Sequence, residues 1–457
     1  MPSAIKENMK VKGMNMKNTL AALLALVAVR VFADPLIVQI SSDHTNALYM
    51  CGEKVTFVVS GLDTNRQFAA EGKCKIVVDN FTAKGVLLAE EVDFSKGNPQ
   101  KREFTFDKPG FYRCMAPKVG KIDRFGKYIL RDFVWGVGVE PEKIEKGSPS
   151  PADFDSFWEG ERRRLAAEVP LDPVQTTVPE KTDKDFDYYR ISFATFGGNR
   201  VHGYMSVPKD RSKGPFPVEF TVPGAGFGDW TNVMNPKKGR VCVFMSVFPF
   251  EPDWRYLELK LSESRFAPLQ KALKEKYGVG TYSLAGIAGR RDENYYHPVI
   301  LGIDRAVDWV ASQPFVDKSR FWYSGTSQGG AMGLCLCGLN KTFTKAALYV
   351  PAMTDTMGYL KGRVSGWPKP VESSPEDQKE AAAANAPYYD GANFASRIKC
   401  SVRVAVGFSD VSCPPAGVYA TYNELKVKDR GIIHGIGMSH SCYGWVYDVL
   451  DKWLEEK

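Results

Sequence analysis

The stretch Gly325-Thr326-Ser327-Gln328-Gly329-Gly330 sets a hydroxyl between glycines two residues away on either side. A turn tight enough to lift that hydroxyl clear of a sheet leaves no room for flanking side chains, so glycine is needed around it. The bare pattern recurs by chance in long chains. Here it follows the apolar run Arg320-Phe321-Trp322-Tyr323 and opens a helix-like segment, the strand–turn–helix setting of a nucleophilic serine. A serine attacks a carbonyl only when a base takes its proton and an acid orients that base. On such an elbow the acid, then the histidine, follow the serine along the chain, which sets aside His44, His202 and His297. His434 lies inside the apolar run GIIHGIG and reads as a packed core residue. His440, in the loop before the final helix, is the expected base.

Asp355, Asp377, Asp390, Asp410 and Asp429 fall between Ser327 and His440. Asp410 ends the strand-like run VRVAVGFSD and precedes Cys413-Pro414-Pro415, which puts it on the sheet edge that carries functional loops. Asp355 follows the preceding strand and is the second choice; as a plain structural residue it would cap a helix after Thr354. The oxyanion of a tetrahedral intermediate needs preorganised donors. Gln328 supplies one N–H, and Pro223-Gly224-Ala225-Gly226-Phe227-Gly228, after the strand PVEFTV, places Ala225 to supply the other. No Gly-Lys-Ser/Thr follows those glycines, so they do not read as a phosphate loop.

The elements that must carry these residues alternate. Apolar runs (YYRISFAT, NRVHGYMSVP, PVEFTV, RVCVFMSV, RFWYSG, KAALYVP, VRVAVG, GIIHGIG) are interspersed with amphipathic segments, among them one where Ile303, Ala306, Val307 and Val310 share a helical face. That order predicts an α/β fold with a mostly parallel, doubly wound sheet over 152–457. It opens on a helix with Phe154, Phe157, Trp158 and Leu165 on one side. A further capped helix is expected to start at Ser374-Pro375, and the segments 353–386 and 248–297 are expected to shape the pocket. Residues 35–140 show only short strand-like runs between turns and read as a small all-β, immunoglobulin-like sandwich, Tyr112 standing two residues before Cys114 as in a tyrosine corner. This region is expected to brace its neighbour rather than bind carbohydrate. The Pro-, Gly- and Ser-containing stretch 141–151 reads as a linker.

Residues 1–33 read as a signal peptide: lysines at 10, 12 and 17, the run TLAALLALVAV, then Val31-Phe32-Ala33. A secreted or periplasmic enzyme is expected. Without this leader the formal charge falls from +7 to about +3, too little to argue for nucleic acid or an acidic membrane as partner. Nine cysteines in an exported chain permit disulfides, and a Cys413–Cys442 bridge tying the two triad loops is one specific expectation. Neither paired CxxC nor HExxH occurs, so no metal is expected.

These residues, from PADFDSFW through GGNRVHGYMSVPK, RFWYSGTSQGG and VRVAVGFSDVSCPP to the His440 loop, resemble the acetylxylan esterase and cephalosporin C deacetylase family of α/β-hydrolases, carbohydrate esterase family 7. The resemblance implies Ser327 as nucleophile, Asp410 as acid, His440 as base, oxyanion donors at Gln328 and Ala225, and no cofactor. It implies small acetylated sugars or xylo-oligosaccharides as substrates and leaves a homo-oligomer open. Three positions depart from the family: its Arg-Gly-Gln motif is absent, with Phe248-Pro249-Phe250 nearby; His440 is followed by Ser441 rather than Glu; and Ala225 stands where a Tyr is usual. An esterase for bulkier glucuronoyl or feruloyl esters, or a non-catalytic glycan-binding protein with a decayed hydrolase region, are the other readings. A peptidase is weaker.

Overall fold

The computed structural model describes residues 36–456 apart from 83, 123–127, 179–180, 182, 227–235 and 252–258. The expected leader, 1–33, lies outside the described residues. The N-terminal strands are β1 (Ile37–Ser42), β2 (Leu48–Tyr49), β3 (Lys54–Leu62), β4 (Lys73–Asp79), β5 (Val86–Asp93), β6 (Gln100–Thr105), β7 (Gly110–Ile122) and β8 (Tyr128–Val139). Alternation drives them together: Val55, Phe57 and Val59 of β3 and Ile76 and Val78 of β4 are completely buried. The long β7 pairs with β8 along its length, with β4 through Arg113 to Met115, and with β1 at Gly120. The β7–β8 register shifts between Ala116 and Val119, and because β7 joins β8, β4 and β1 all eight strands form one connected sheet.

The polar stretch expected to be a linker is fastened down. Gly147 N–H donates to Asp355 Oδ1 at 2.5 Å, Asn423 Nδ2 donates to the carbonyls of Pro141 and Ile144, and Arg363 reaches the carbonyl of Glu145. Asp355, second choice for the acid, is thus a buried anchor for this crossing.

Beyond it run β9 (Val174–Thr177), β10 (Phe186–Ala194), β11 (Arg200–Pro208), β12 (Phe216–Thr221), β13 (Val241–Met245), β14 (Val316–Thr326), β15 (Lys345–Tyr349), β16 (Ser401–Gly407) and β17 (Arg430–Gly435). They form a nine-stranded sheet in the order β17-β16-β15-β14-β12-β13-β11-β10-β9. From β13 through β12 and β14 to β17 every pairing is parallel, while β9, β10 and β11 add an antiparallel edge. Parallel neighbours need covered faces. The cover includes α1 (Phe154–Glu168), α2 (Leu259–Tyr277), α3 (Tyr296–Ala311), α4 (Gln328–Leu339), α5 (Lys379–Asn385), α6 (Gly391–Ala395), α7 (Pro415–Asn423) and α8 (Gly444–Glu455). Ile303, Ala306, Val307 and Val310 of α3 are fully buried, as their spacing predicts. Ser374 does not cap a helix, its hydroxyl donating to the carbonyl of Pro370; the helical stretch does open directly after Pro375, as a 3₁₀ turn at Glu376–Gln378 that runs into α5 at Lys379. No helix among the described residues is long and apolar enough to cross a membrane.

His297, in the first turn of α3, is 1% exposed and lies between the rings of Phe196 and Trp158, its Nε2 2.8 Å from Glu161 Oε2. Burial, helped by the Arg164 cation and opposed by Asp292, pushes its imidazolium down to about 4. The unfolded chain then binds a proton between pH 6.5 and 4 that the folded chain refuses, so stability falls as pH drops through that window, by roughly 3 kcal/mol at its lower end. His297→Gln should show a shallower loss in denaturant melts between pH 7 and pH 4.5. Identical pH slopes in the two proteins would rule this out.

Candidate active site

Ser327 sits between the end of β14 and the start of α4 with φ 57° and ψ −116°, a left-handed backbone that a non-glycine residue adopts only under constraint. The constraint is visible: Ser327 N–H donates to the carbonyl of Tyr349, and its own carbonyl accepts from Ala331 and Ala352. Two glycines make the turn possible. A Cβ on Gly329 would stand 2.1 Å from the carbonyl oxygen of Val222, and one on Gly325 would stand 2.6 Å from the backbone of Gly329.

His440 lies in the loop between β17 and α8, and Asp410 in the loop after β16, completely buried. His440 Nδ1 is 2.9 Å from Asp410 Oδ2, and His440 Nε2 is 2.9 Å from Ser327 Oγ. A carboxylate only accepts, so Nδ1 carries the hydrogen and neutral Nε2 accepts from the serine hydroxyl. The other carboxylate oxygen, Oδ1, accepts from the N–H groups of Ser412 and Cys413 at 2.8 and 2.9 Å. Asp410 is therefore fixed from both sides, and the three residues singled out from sequence meet in one chain of hydrogen bonds. His434 instead contacts Tyr419 Oη through Nε2 at 2.5 Å, a packed residue as its apolar neighbours suggested.

Gln328 has a fully buried side chain that uses both ends. Its Nε2 reaches the carbonyls of Pro223 and Gly224, both at 3.3 Å, and its Oε1 accepts from Tyr282 at 2.7 Å and Tyr296 at 2.8 Å. The glycine-rich turn is thereby tied to the first residue of α4. A Cβ on Gly224 would lie 3.9 Å from Ser327 Cβ, so Ala225 follows directly beside the nucleophile position, its side chain exposed. Tyr282 and Tyr296 were not marked by any motif; the only hint is their place in aromatic-rich segments near the expected pocket walls. Tyr282 also meets Phe248 edge-on at 5.1 Å, where the family's Arg-Gly-Gln was expected.

All nine cysteines are free, so the expected Cys413–Cys442 bridge does not form. Burial raises both thiols, Cys442 to about 12. Both stay neutral at ordinary pH. Asp410, Cys413 and His440 have ligand atoms within 4.8 Å of one another, the one such metal-type grouping among the described residues. Both nitrogens of His440 are already engaged, so a cation there would compete with the Ser327 and Asp410 contacts. A separate cavity of about 500 Å³, walled by Phe196, Phe248, Tyr277, Tyr295 and His297, contains none of the three triad-forming residues and lies behind the Phe248–Tyr282–Tyr295 rings.

A model of the acetyl xylan esterase (AXE1) family matches residues 142–456. The acetyl esterase Axe7A of Xylanibacter ruminicola is 28% identical over 397 residues, 86% of this chain and 84% of that protein. That alignment is longer than 142–456, so the similarity extends into the N-terminal strands. Among solved structures, the acetyl xylan esterase of Paenibacillus sp. R4 is 22% identical with a TM-score of 0.56, covering 69% of this chain and 98% of its own. Acetyl xylan esterase 1 of Thermoanaerobacterium sp. JW/SL YS485 is 21% identical with a TM-score of 0.57, covering 69% and 96%.

Proposed function

The chain belongs to the acetyl xylan esterase family and is a carboxylic ester hydrolase, and from that premise we propose that it removes acetyl groups from acetylated xylan, xylo-oligosaccharides or related sugars through a Ser327 acyl-enzyme. The observation that carries this reading is the continuous path from Ser327 Oγ through His440 to Asp410, each contact 2.9 Å. Ser327 Oγ attacks the ester carbonyl carbon as its proton passes to His440 Nε2, and the carbonyl electrons move onto oxygen. The N–H of Gln328, which α4 itself leaves unused at its first turn, and that of Ala225 stabilise that oxygen. Collapse breaks the bond to the sugar oxygen, which takes the proton from His440. Water then attacks the acetyl-serine with His440 again as base, releasing acetate and restoring Ser327. Asp410 holds the tautomer and stabilises the imidazolium. No step calls for a cofactor.

The small exposed side chain of Ala225 beside the nucleophile favours a second reading, a site that also admits bulkier sugar esters. We further read the N-terminal strands as immunoglobulin-like, supported by Tyr112 Oη donating to the carbonyl of Lys108 at 3.2 Å, and the protein as exported through 1–33. One panel tests the substrate class: p-nitrophenyl acetate, acetylated xylo-oligosaccharides, methyl ferulate and a methyl glucuronoyl ester. Acetate release should be fastest; cleavage of only the bulkier esters would refute deacetylation.

A further inference from the structure

The loops bearing Asp410 and His440 lean on each other and on a strand from the far end of the chain. Phe408 N–H donates to the carbonyl of Gly435, and Ser409 N–H to that of Met438 at 3.0 Å, so the two loops are joined. Against both lies β8. Ser409, one residue before Asp410, sends its hydroxyl to the carbonyl of Val134 at 2.9 Å. Gly136 approaches so closely that a Cβ there would lie 1.8 Å from the carbonyl oxygen of Phe408. On the His440 side, Gly437 has φ +71°, and a Cβ on it would come within 3.1 Å of the Trp135 ring. That ring is itself held by Nε1 donating to Ser42 Oγ at 3.1 Å. Under these contacts the buried ring of Phe111 meets Phe408 edge-on at 5.0 Å and Tyr419 at 5.5 Å.

Loops left to themselves are among the more mobile parts of a fold, and a 1 Å error in a reacting geometry costs about a hundredfold in rate. Two loops must here hold a 2.9 Å contact to each other and another to Ser327. We propose that β8 is a positioning element for the acid–base pair, with the Val134 carbonyl, Trp135 and Gly136 setting where Asp410 and His440 stand, so that the N-terminal strands are a working part of the active site. The inference rests on the Ser327–His440–Asp410 reading. Val134, Trp135 and Gly136 act through the loops, as positioning residues.

The test compares Gly136→Ala, Ser409→Ala and Ser409→Thr in the full chain, with kcat and KM for p-nitrophenyl acetate and a melting curve for each. Gly136→Ala should lower kcat by about tenfold or more with little change in KM. Ser409→Ala should lose a smaller factor, also in kcat alone, and Ser409→Thr, which keeps the hydroxyl, should recover most of it. Wild-type kcat in folded Gly136→Ala and Ser409→Ala, a change confined to KM, or equal losses in the Ala and Thr proteins would overturn the proposal. Should Gly136→Ala not fold, the Ser409 pair decides alone. The parent reading fails separately, through an active Ser327→Ala enzyme.

Discussion

Ser327→Ala is expected to lower kcat/KM for an aryl acetate by at least about ten-thousand-fold while leaving the melting temperature close to that of wild type. The two halves of this expectation have different origins. The backbone at Ser327 is held by its N–H on Tyr349 and by its carbonyl on Ala331 and Ala352, none of which involves the side chain. What disappears is Oγ and its 2.9 Å bond to His440 Nε2, and with it the atom that forms the acyl bond. The N–H donors beside it remain and should leave a small residual rate. Turnover within tenfold of wild type would remove Ser327 from the mechanism.

Asp410→Asn should lower kcat by about ten-thousand-fold for a subtler reason. Oδ1 of Asp410 accepts two backbone N–H bonds, from Ser412 and Cys413. An asparagine must keep its carbonyl oxygen there, which turns its amide NH₂ toward His440. The ring can then meet it only with an unprotonated Nδ1, which puts the hydrogen on Nε2 and faces Ser327 with a donor where an acceptor is needed. Steady-state kinetics should show the fall in kcat with little change in KM. An Asn enzyme retaining more than a tenth of wild-type kcat would mean that Asp410 does not set the tautomer.

The hydrogen-bonded grouping of Ser327, His440 and Asp410 was legible because its cues are local: glycines around Ser327, a strong strand before Asp410, a loop before the last helix for His440. The alternation of strands and helices gave the α/β class, but not the placement of β12 between β13 and β14, which depends on contacts remote in sequence. The stretch 141–151 reads as a linker because its composition is that of one, and composition does not show that it is fastened. Its fastening partners, Asp355, Arg363 and Asn423, lie more than two hundred residues away, where no local pattern records them. Separation along the chain also hid Tyr282 and Tyr296, 46 and 32 residues from the Gln328 they meet, and β8, whose Val134 is 275 residues from Ser409 beside Asp410. Ser374 is not the cap because the helical turn Glu376–Gln378 opens directly after Pro375, which takes the cap position, while the Ser374 hydroxyl donates to the carbonyl of Pro370. The Cys413–Cys442 expectation failed because loop adjacency says nothing of where each thiol points.

The most direct test of a covalent Ser327 intermediate is peptide mass analysis after stoichiometric reaction with a fluorophosphonate. One adduct per chain, on the peptide containing Ser327, with activity lost in proportion, is the predicted result. Full inactivation with the adduct on another residue, or an active enzyme that carries the adduct on Ser327, would contradict it.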